Sequence, residues 1–165
     1  MKIAITGHRP QRLNNEWGGL GPMSDWLRKK INETLDKENP TMLISGMALG
    51  VDMLFAEIAI ERNLDLLAAI PCVGQERRWP QKSQDRYNKI LSYKNCEKVV
   101  LAERYAPWVM QQRNQYMVDN CDLLIGCWDG TTGGTCNCVQ YALKKKKNFI
   151  RINPQDCDLP YEELI

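Results

Sequence analysis

The sequence has little histidine, little net charge and no long apolar run, and each shortage excludes a class of protein. His8 is the single histidine in 165 residues, and 22 basic side chains face 20 acidic ones. Nucleic-acid binding through overall charge is not expected, because phosphate neutralisation needs a concentrated basic surface. No apolar stretch approaches the length that spans a bilayer, and the first residues lack the apolar region of a signal peptide. We therefore expect a soluble cytoplasmic protein that contacts no membrane.

The seven cysteines fit a reducing compartment. Their number is odd and their spacing irregular, which predicts reduced thiols rather than disulfides. No CxxC pair occurs, and a single residue separates Cys136 from Cys138. Because a structural zinc site needs four well-spaced ligands, the sequence predicts no metal site, and we expect no cofactor.

Short apolar runs alternate with longer amphipathic stretches along the whole chain. We predict strands at 3–5, 42–44, 66–70, 98–101, 123–127 and 148–152, with helices at 24–35, 51–62, 76–93, 107–120 and 136–145. Nearly all-apolar strands that alternate with helices indicate an α/β fold with a mainly parallel sheet, covered by helices on both faces. The length suits a single domain over residues 1–165.

Three breaks after predicted strands are rich in glycine and polar residues, at 6–9, 45–52 and 129–135. Right-handed crossovers bring the loops that follow parallel strands to one edge of the sheet. Ligands of open α/β sheets bind outside those carboxyl ends. The three breaks are therefore predicted to form one crevice.

The first break reads Thr6-Gly7-His8-Arg9-Pro10. A glycine directly after a strand lets backbone amides turn toward a ligand, and Arg9 can pair with a phosphate or carboxylate. A tight turn with a surface arginine fits the same residues. For His8, a hydrogen bond to a ligand or to the backbone is favoured over acid–base catalysis.

The second break carries Gly46, Met47, Gly50 and Asp52. Its two glycines permit close backbone approach, and free amides at the start of the following helix favour an anion. The pattern is neither a Walker motif nor the dinucleotide-binding GxGxxG. Asp52 either satisfies the helix dipole or accepts a hydrogen bond from a ribose hydroxyl.

The third break and a preceding helix supply the remaining candidates. Small residues and hydroxyls before a helix, here Gly133-Gly134-Thr135, form a natural phosphate cradle, although a turn would use the same residues. Trp128 either stacks on a base or caps the core. Arg113 and Asn114 lie on the predicted helix 107–120, where Arg113 either points into the crevice or belongs to a charged surface.

Together these segments resemble the SLOG superfamily, a Rossmann-like group that includes DprA-like, LOG-like phosphoribohydrolase and YpsA/YspA-like proteins. The first break and Gly46-x-x-x-Gly50-x-Asp52 resemble the YpsA/YspA branch. Met110-x-x-Arg113-Asn114-x-x-Met117, followed by Gly133-Gly134-Thr135, resembles the LOG pattern. The resemblance implies a Rossmann-like three-layer α/β/α fold and a ligand bearing a nucleotide or phosphoribose. It also implies dimers or larger assemblies, whereas the residues themselves leave the oligomeric state open.

The candidate ligand-binding residues come from the three breaks and the helix that precedes the third. They are Thr6, Gly7, His8, Arg9, Gly46, Met47, Gly50, Asp52, Arg113, Asn114, Trp128, Gly133, Gly134 and Thr135.

One position departs from the LOG pattern. The resemblance places a catalytic glutamate three residues after Thr135, where this chain has Cys138. Cleavage of an N-glycosidic bond passes through a cationic ribose-centred transition state that a carboxylate stabilises. A cysteine supplies that charge only as the thiolate. We therefore favour binding, that is sensing or sequestration of a nucleotide-derived small molecule, over catalysis.

Two alternatives stay open. In the first, the protein is a nucleoside 5′-monophosphate phosphoribohydrolase or related nucleotide N-glycosidase, with Arg113 as a catalytic residue and Asp52, Asp119 or Asp129 in place of the glutamate. In the second, it is a DprA-like module that binds single-stranded DNA, for which Lys144 to Lys147 is the basic candidate. That run fits a solvated helix end better, so we expect no nucleic-acid partner.

Overall fold

The computed structural model describes residues 1–158, and within that range it contains six strands and five α-helices. In chain order the elements are β1 (Lys2–Gly7), α1 (Pro22–Glu38), β2 (Met42–Ser45), α2 (Val51–Glu61), β3 (Asp65–Ile70), α3 (Gln81–Leu91), β4 (Cys96–Val100), α4 (Val109–Asn120), β5 (Leu123–Cys127), α5 (Gly134–Lys144) and β6 (Asn148–Ile152). Short 3-10 turns span Pro10–Arg12 and Pro154–Asp156.

The six strands form one sheet in the order β4-β3-β2-β1-β5-β6, and every pairing is parallel. Helices α1, α2 and α3 cover one face, where Leu27, Leu54 and Tyr87 belong to one apolar core. Helices α4 and α5 cover the other face, where Met117 and Cys138 belong to a second core. The predicted α/β class with a Rossmann-like α/β/α arrangement is confirmed, and the sheet is parallel throughout.

The strand order reverses between β1 and β5. The chain adds strands outward from β1 toward β4 and then returns to place β5 on the other side of β1. At such a reversal the loops after the two central strands diverge to opposite faces and leave a crevice at the carboxyl edge. The first and third breaks follow β1 and β5, so they border this reversal.

Several predicted helix boundaries are wrong, and backbone hydrogen bonds explain the differences. The helix predicted at 76–93 begins only at Gln81, because the preceding residues form turns in which Arg77 N–H donates to Gly74 and Trp79 N–H to Glu76. The helix predicted from residue 107 begins at Val109, after a turn closed by its N–H to the carbonyl of Ala106.

The starts of α1 and α5 also differ from the prediction. Ser24 does not cap α1, which begins at Pro22; instead the Glu16 carboxylate accepts from the N–H groups of Met23 and Ser24 at 3.0 and 2.6 Å. The sequence around Pro22 does not reveal this cap, because Glu16 lies outside the helix in the preceding loop. Helix α5 begins at Gly134 rather than at residue 136.

No helix within residues 1–158 is both long enough and apolar enough to cross a membrane. None of the seven cysteines takes part in a disulfide.

Gly50 allows the second break to pack on the first. Its φ is +94°, and a Cβ at this position would lie 2.4 Å from the carbonyl oxygen of His8. The same carbonyl accepts a hydrogen bond from the N–H of Val51 at 3.3 Å. Only glycine has both the backbone freedom and the small size that this contact needs.

We predict that Gly50→Ala lowers the free energy of unfolding by about 2 kcal/mol or more, because it combines an unfavourable φ with a backbone clash. Chemical denaturation measures the change. The control is Gly18→Ala, since a Cβ there meets no atom within 4 Å. Equal stabilities for the two variants would contradict the prediction.

Candidate functional site

Residues from all three breaks line one crevice of about 420 Å³ at the carboxyl edge of the sheet. Such a volume is typical of small-molecule sites. The structure brings most of the predicted residues into its lining, namely Thr6, Gly7, His8, Arg9, Asp52, Arg113, Asn114, Gly133, Gly134 and Thr135.

Four predicted residues lie outside the lining. A Cβ on Gly46 would approach Arg113 Nη1 to 2.3 Å, so this glycine makes room for the arginine rather than for a ligand. Met47 is fully buried, with a φ of +60°. Gly50 packs on the backbone of the first break, as described above. The Trp128 indole N–H donates to the carbonyl of Thr131 at 2.8 Å, and its ring packs against the Arg151 guanidinium.

The lining also contains residues that the sequence prediction missed: Gln11, Arg12, Ala48, Met110, Thr131, Thr132 and Cys136. Thr131 and Thr132 could have been predicted from the sequence, because they belong to the third break and carry hydroxyl groups. Met110 opens the motif that contains Arg113. No sequence pattern marked Arg12, which enters through the 3-10 turn after the first break.

Arg113 forms the floor of the crevice as a buried cation, with 5% of its surface exposed. Its Nη1 donates to the carbonyl oxygen of Gly46 at 2.6 Å, and its Nε donates to Asn114 Oδ1 at 3.2 Å. Among residues 1–158 no carboxylate oxygen lies within 4 Å of its guanidinium. Asp52 acts on this guanidinium from beyond ion-pair distance and opposes the effect of its burial only in part. A buried positive charge that is incompletely balanced in this way favours an anionic ligand beside it.

Asp52 is a buried carboxyl on the same crevice wall. It accepts a hydrogen bond from the Ala48 N–H at 3.3 Å. Burial raises the pKa of Asp52, while the guanidinium groups of Arg113 and Arg9 act in the opposite direction. The remaining acceptor capacity of this carboxyl suits the hydroxyl groups of a ligand.

The start of α5 offers backbone amides to the crevice. No side chain caps this helix, and its first turn has no acidic residue. Gly133 has a φ of +142°, and a Cβ on Gly133 or Gly134 would meet no atom within 4 Å. The first turn of α5 lines the crevice from Gly134 to Cys136, and at such a helix start the free N–H groups and the helix dipole favour a negative charge.

Asp129 shapes the third break. Its Oδ1 accepts from the N–H of Thr131 at 2.9 Å and from the Thr131 hydroxyl at 2.6 Å. Arg12 Nη1 donates to the same hydroxyl at 2.6 Å, which joins the first and third breaks. Burial alone would raise the pKa of Asp129, but the hydrogen bonds from Thr131 and the neighbouring His8 lower it to about 2.

His8 makes a second link between these two breaks. Its Nε2 lies 3.0 Å from Asp129 Oδ1 and 3.1 Å from the Asp129 backbone nitrogen. Burial lowers the pKa of His8, and this effect outweighs the opposing influence of Asp129. The imidazole is therefore mainly neutral at neutral pH.

The residues considered for catalysis of N-glycosidic cleavage differ in whether they reach the crevice. Cys138 is fully buried, and burial raises the pKa of its thiol to about 12, so it carries no negative charge at neutral pH. The Asp119 carboxylate accepts a hydrogen bond from the Tyr141 hydroxyl outside the lining. Asp129 is also outside the lining. Of the three proposed carboxylates, Asp52 lines the crevice.

Within residues 1–158 no three His, Cys, Asp or Glu side chains are grouped as metal ligands.

We predict that the free energy of unfolding falls as the pH drops below the ordinary His pKa of 6.5, because the unfolded chain then binds a proton at His8 that the folded chain resists. His8→Gln should show a smaller loss between about pH 7.5 and 5.5. Urea unfolding at both pH values measures the difference. Asp52 titrates in both proteins and cancels in the comparison. Identical pH slopes would contradict the prediction.

The comparisons with known proteins agree on one family. The model of the YspA SLOG family matches residues 3–157. A UPF0398 protein of Bacillus cereus strain G9842 is 27% identical over 153 residues, covering 87% of this chain and 83% of that protein. A UPF0398 protein of Bacillus thuringiensis strain Al Hakam is 28% identical with the same coverage.

Solved structures share the fold at low sequence identity. DNA processing protein A (DprA) from Streptococcus pneumoniae has a TM-score of 0.64 at 16% identity, and covers 99% of this chain. DprA from Helicobacter pylori, described as binding single-stranded DNA, has a TM-score of 0.64 at 20% identity and covers 92% of this chain. The chain spans about half of the first protein (54%) and 64% of the second. The family match over nearly the whole described length confirms the predicted resemblance, and this chain belongs to the YspA SLOG family.

Proposed function

We propose that the crevice binds a nucleotide-derived small molecule, which the protein senses or sequesters. The observation that carries this proposal is the pairing of a buried guanidinium with an uncapped helix start in one cavity. Arg113 supplies a positive charge that forms no ion pair among residues 1–158, and the first turn of α5 supplies free N–H groups. A phosphate satisfies both, because it is multiply charged and accepts several hydrogen bonds.

The rest of the lining suits a ribose beside that phosphate. Asp52 and Asn114 are polar side chains that are mostly buried in the crevice wall. Thr131 and Thr132 add hydroxyl groups at the entrance. A sugar hydroxyl needs acceptors such as the Asp52 carboxyl together with donors, and this wall holds both kinds of group.

Arg9 is the cation available to close over a bound anion. It is exposed, lines the crevice and, among residues 1–158, makes no ion pair with an acidic side chain. Its positive charge acts to lower the pKa of Asp52 in the crevice wall, against the effect of burial. A ligand phosphate would give this guanidinium its partner.

Cleavage of an N-glycosidic bond is the second candidate, and the position of Asp52 favours it. This carboxyl lies in the crevice beside Arg113, where an enzyme would need a charged group near the ribose. Cys138 argues against cleavage, because a neutral, fully buried thiol occupies the position at which the LOG pattern implies a glutamate. Burial also raises the pKa of Asp52, which disfavours the carboxylate that would stabilise a cationic transition state. We therefore propose binding first.

The lysine run is not part of the crevice. Lys144 ends α5, whereas the crevice lies at the start of that helix, so the two are separated by the helix length. Lys147 donates to the carbonyl of Cys121 at 2.8 Å, and Lys145 lies over the Tyr141 ring. These contacts support a helix-end role, and we propose a small ligand rather than the single-stranded DNA bound by the Helicobacter pylori protein.

We predict that AMP binds and adenosine does not bind measurably, since the phosphate provides most of the attraction. Arg9→Ala should weaken AMP binding at least about tenfold, which corresponds to roughly 1.4 kcal/mol. Isothermal titration calorimetry measures both affinities. Arg28→Ala on α1, which lies outside the lining, is the matched control and should leave the AMP affinity unchanged. Equal affinities for AMP and adenosine would disprove the phosphate-centred site.

Incubation of the protein with AMP should release no adenine above the uncatalysed level, because Cys138 supplies no charge. Chromatography of the reaction measures free base. If base is released and Asp52→Asn abolishes the release while AMP still binds, the second candidate replaces the first. The Asn side chain has the same size as Asp, so this variant tests the charge without opening a cavity.

A further inference from the structure

A second cavity, of about 540 Å³, opens at the same edge of the sheet beyond β3 and β4. Its walls come from the loop after β3, residues 72–79, and from residues 103–105 after β4. Met110, in the first turn of α4, lines both this cavity and the crevice described above. The two spaces are therefore neighbours on either side of one side chain.

The second cavity is rich in unpaired positive charge. Arg77, Arg78 and Arg104 line it, and all three are exposed. Among residues 1–158 none of them forms an ion pair with an acidic side chain. Glu103 is the one acidic residue in the lining. Three guanidinium groups against one carboxylate leave an excess of positive charge that suits an anion.

Two aromatic side chains lie in the same lining. Trp79 is held edge-on against Tyr87, with ring centroids 5.4 Å apart, so its position is set by packing. Tyr105 is 71% exposed and presents its ring to the same cavity. Aromatic faces next to guanidinium groups recognise a flat ring that carries an anionic substituent.

Hydrogen bonds join the second cavity to the crevice floor. Gln75, which lines the second cavity, has its Nε2 3.4 Å from the carbonyl oxygens of Gly46 and Met47. The same Gly46 carbonyl accepts the 2.6 Å hydrogen bond from Arg113. The carbonyl of Gly46 therefore connects Gln75 in the lining of the second cavity to Arg113 in the lining of the crevice.

We propose that the second cavity is a subsite for the far half of a two-ended nucleotide ligand of the dinucleoside diphosphate class. This inference rests on the proposed function, since it assigns the first phosphate and ribose to the crevice. The second phosphate then meets the arginines of the second cavity, and the second ring lies against Trp79 and Tyr105. Two adjoining cavities that each contain cationic groups match a ligand in which a central diphosphate joins two nucleosides.

The test compares AMP with diadenosine diphosphate by calorimetry, using the full chain. The wild-type protein should bind the dinucleotide at least about tenfold more tightly than AMP. The double variant Arg104→Ala/Tyr105→Ala should bind the two ligands with similar affinity, and its AMP affinity should stay within about twofold of wild type. Both side chains are exposed, so thermal unfolding should show an unchanged midpoint. Arg28→Ala is the control for loss of one arginine.

The outcomes separate the two proposals. If AMP binds and the dinucleotide binds no more tightly, or if the double variant keeps the dinucleotide preference, the subsite is disproved and the crevice proposal stands. If neither ligand binds, the proposed function fails and the subsite fails with it. A short single-stranded oligonucleotide provides a further arm. If it binds more tightly than the dinucleotide and its affinity falls steeply with salt, the small-ligand assignment is wrong.

Discussion

The buried guanidinium of Arg113 is the interaction on which the carboxyl edge of this sheet depends. A cation out of contact with water needs hydrogen-bond acceptors, and the structure supplies the Gly46 carbonyl at 2.6 Å and the Asn114 amide oxygen at 3.2 Å. A Cβ on residue 46 would lie 2.3 Å from Arg113 Nη1, so any larger residue there would displace the guanidinium. The cost of burying this charge is offset only in part by Asp52, which leaves the crevice electrostatically suited to an anion.

The three breaks hold one another in place through backbone contacts. The His8 N–H donates to the carbonyl of Cys127 at the end of β5, and the His8 carbonyl accepts from Val51 at the start of α2. Gly50 permits that second contact, and Asp129 receives the His8 side chain from the other direction. Loops bound in this way have a defined shape before any ligand arrives, so less conformational entropy is lost on binding.

The sequence predicted more of the fold than of the site. Apolar strands of three to five residues between amphipathic stretches were enough to predict a parallel α/β sheet, because strands that are buried on both faces of a sheet are apolar along their length. Helix starts were less predictable, since Glu16 reaches α1 from a separate loop and the turns before α3 override its polar, helix-like composition. Within the site, the glycines looked alike in sequence. Only the structure showed that Gly133 and Gly134 have open space beside them, whereas the Arg113 guanidinium occupies the space beside Gly46.

The sequence by itself determined the family, the parallel sheet and the edge at which the breaks meet, because hydrophobic periodicity and motif order are local properties of the chain. The tertiary structure decided which side chains share a space. From the sequence, Arg113 was compatible with an exposed helix face, but the packing of α4 buries it. The loop after β3 carried no predicted site residue, and the structure shows that it lines a cavity together with residues 103–105 and Met110. Burial, pKa and the presence or lack of a charge partner depend on residues far apart in the chain, so folding must bring them together before they are defined.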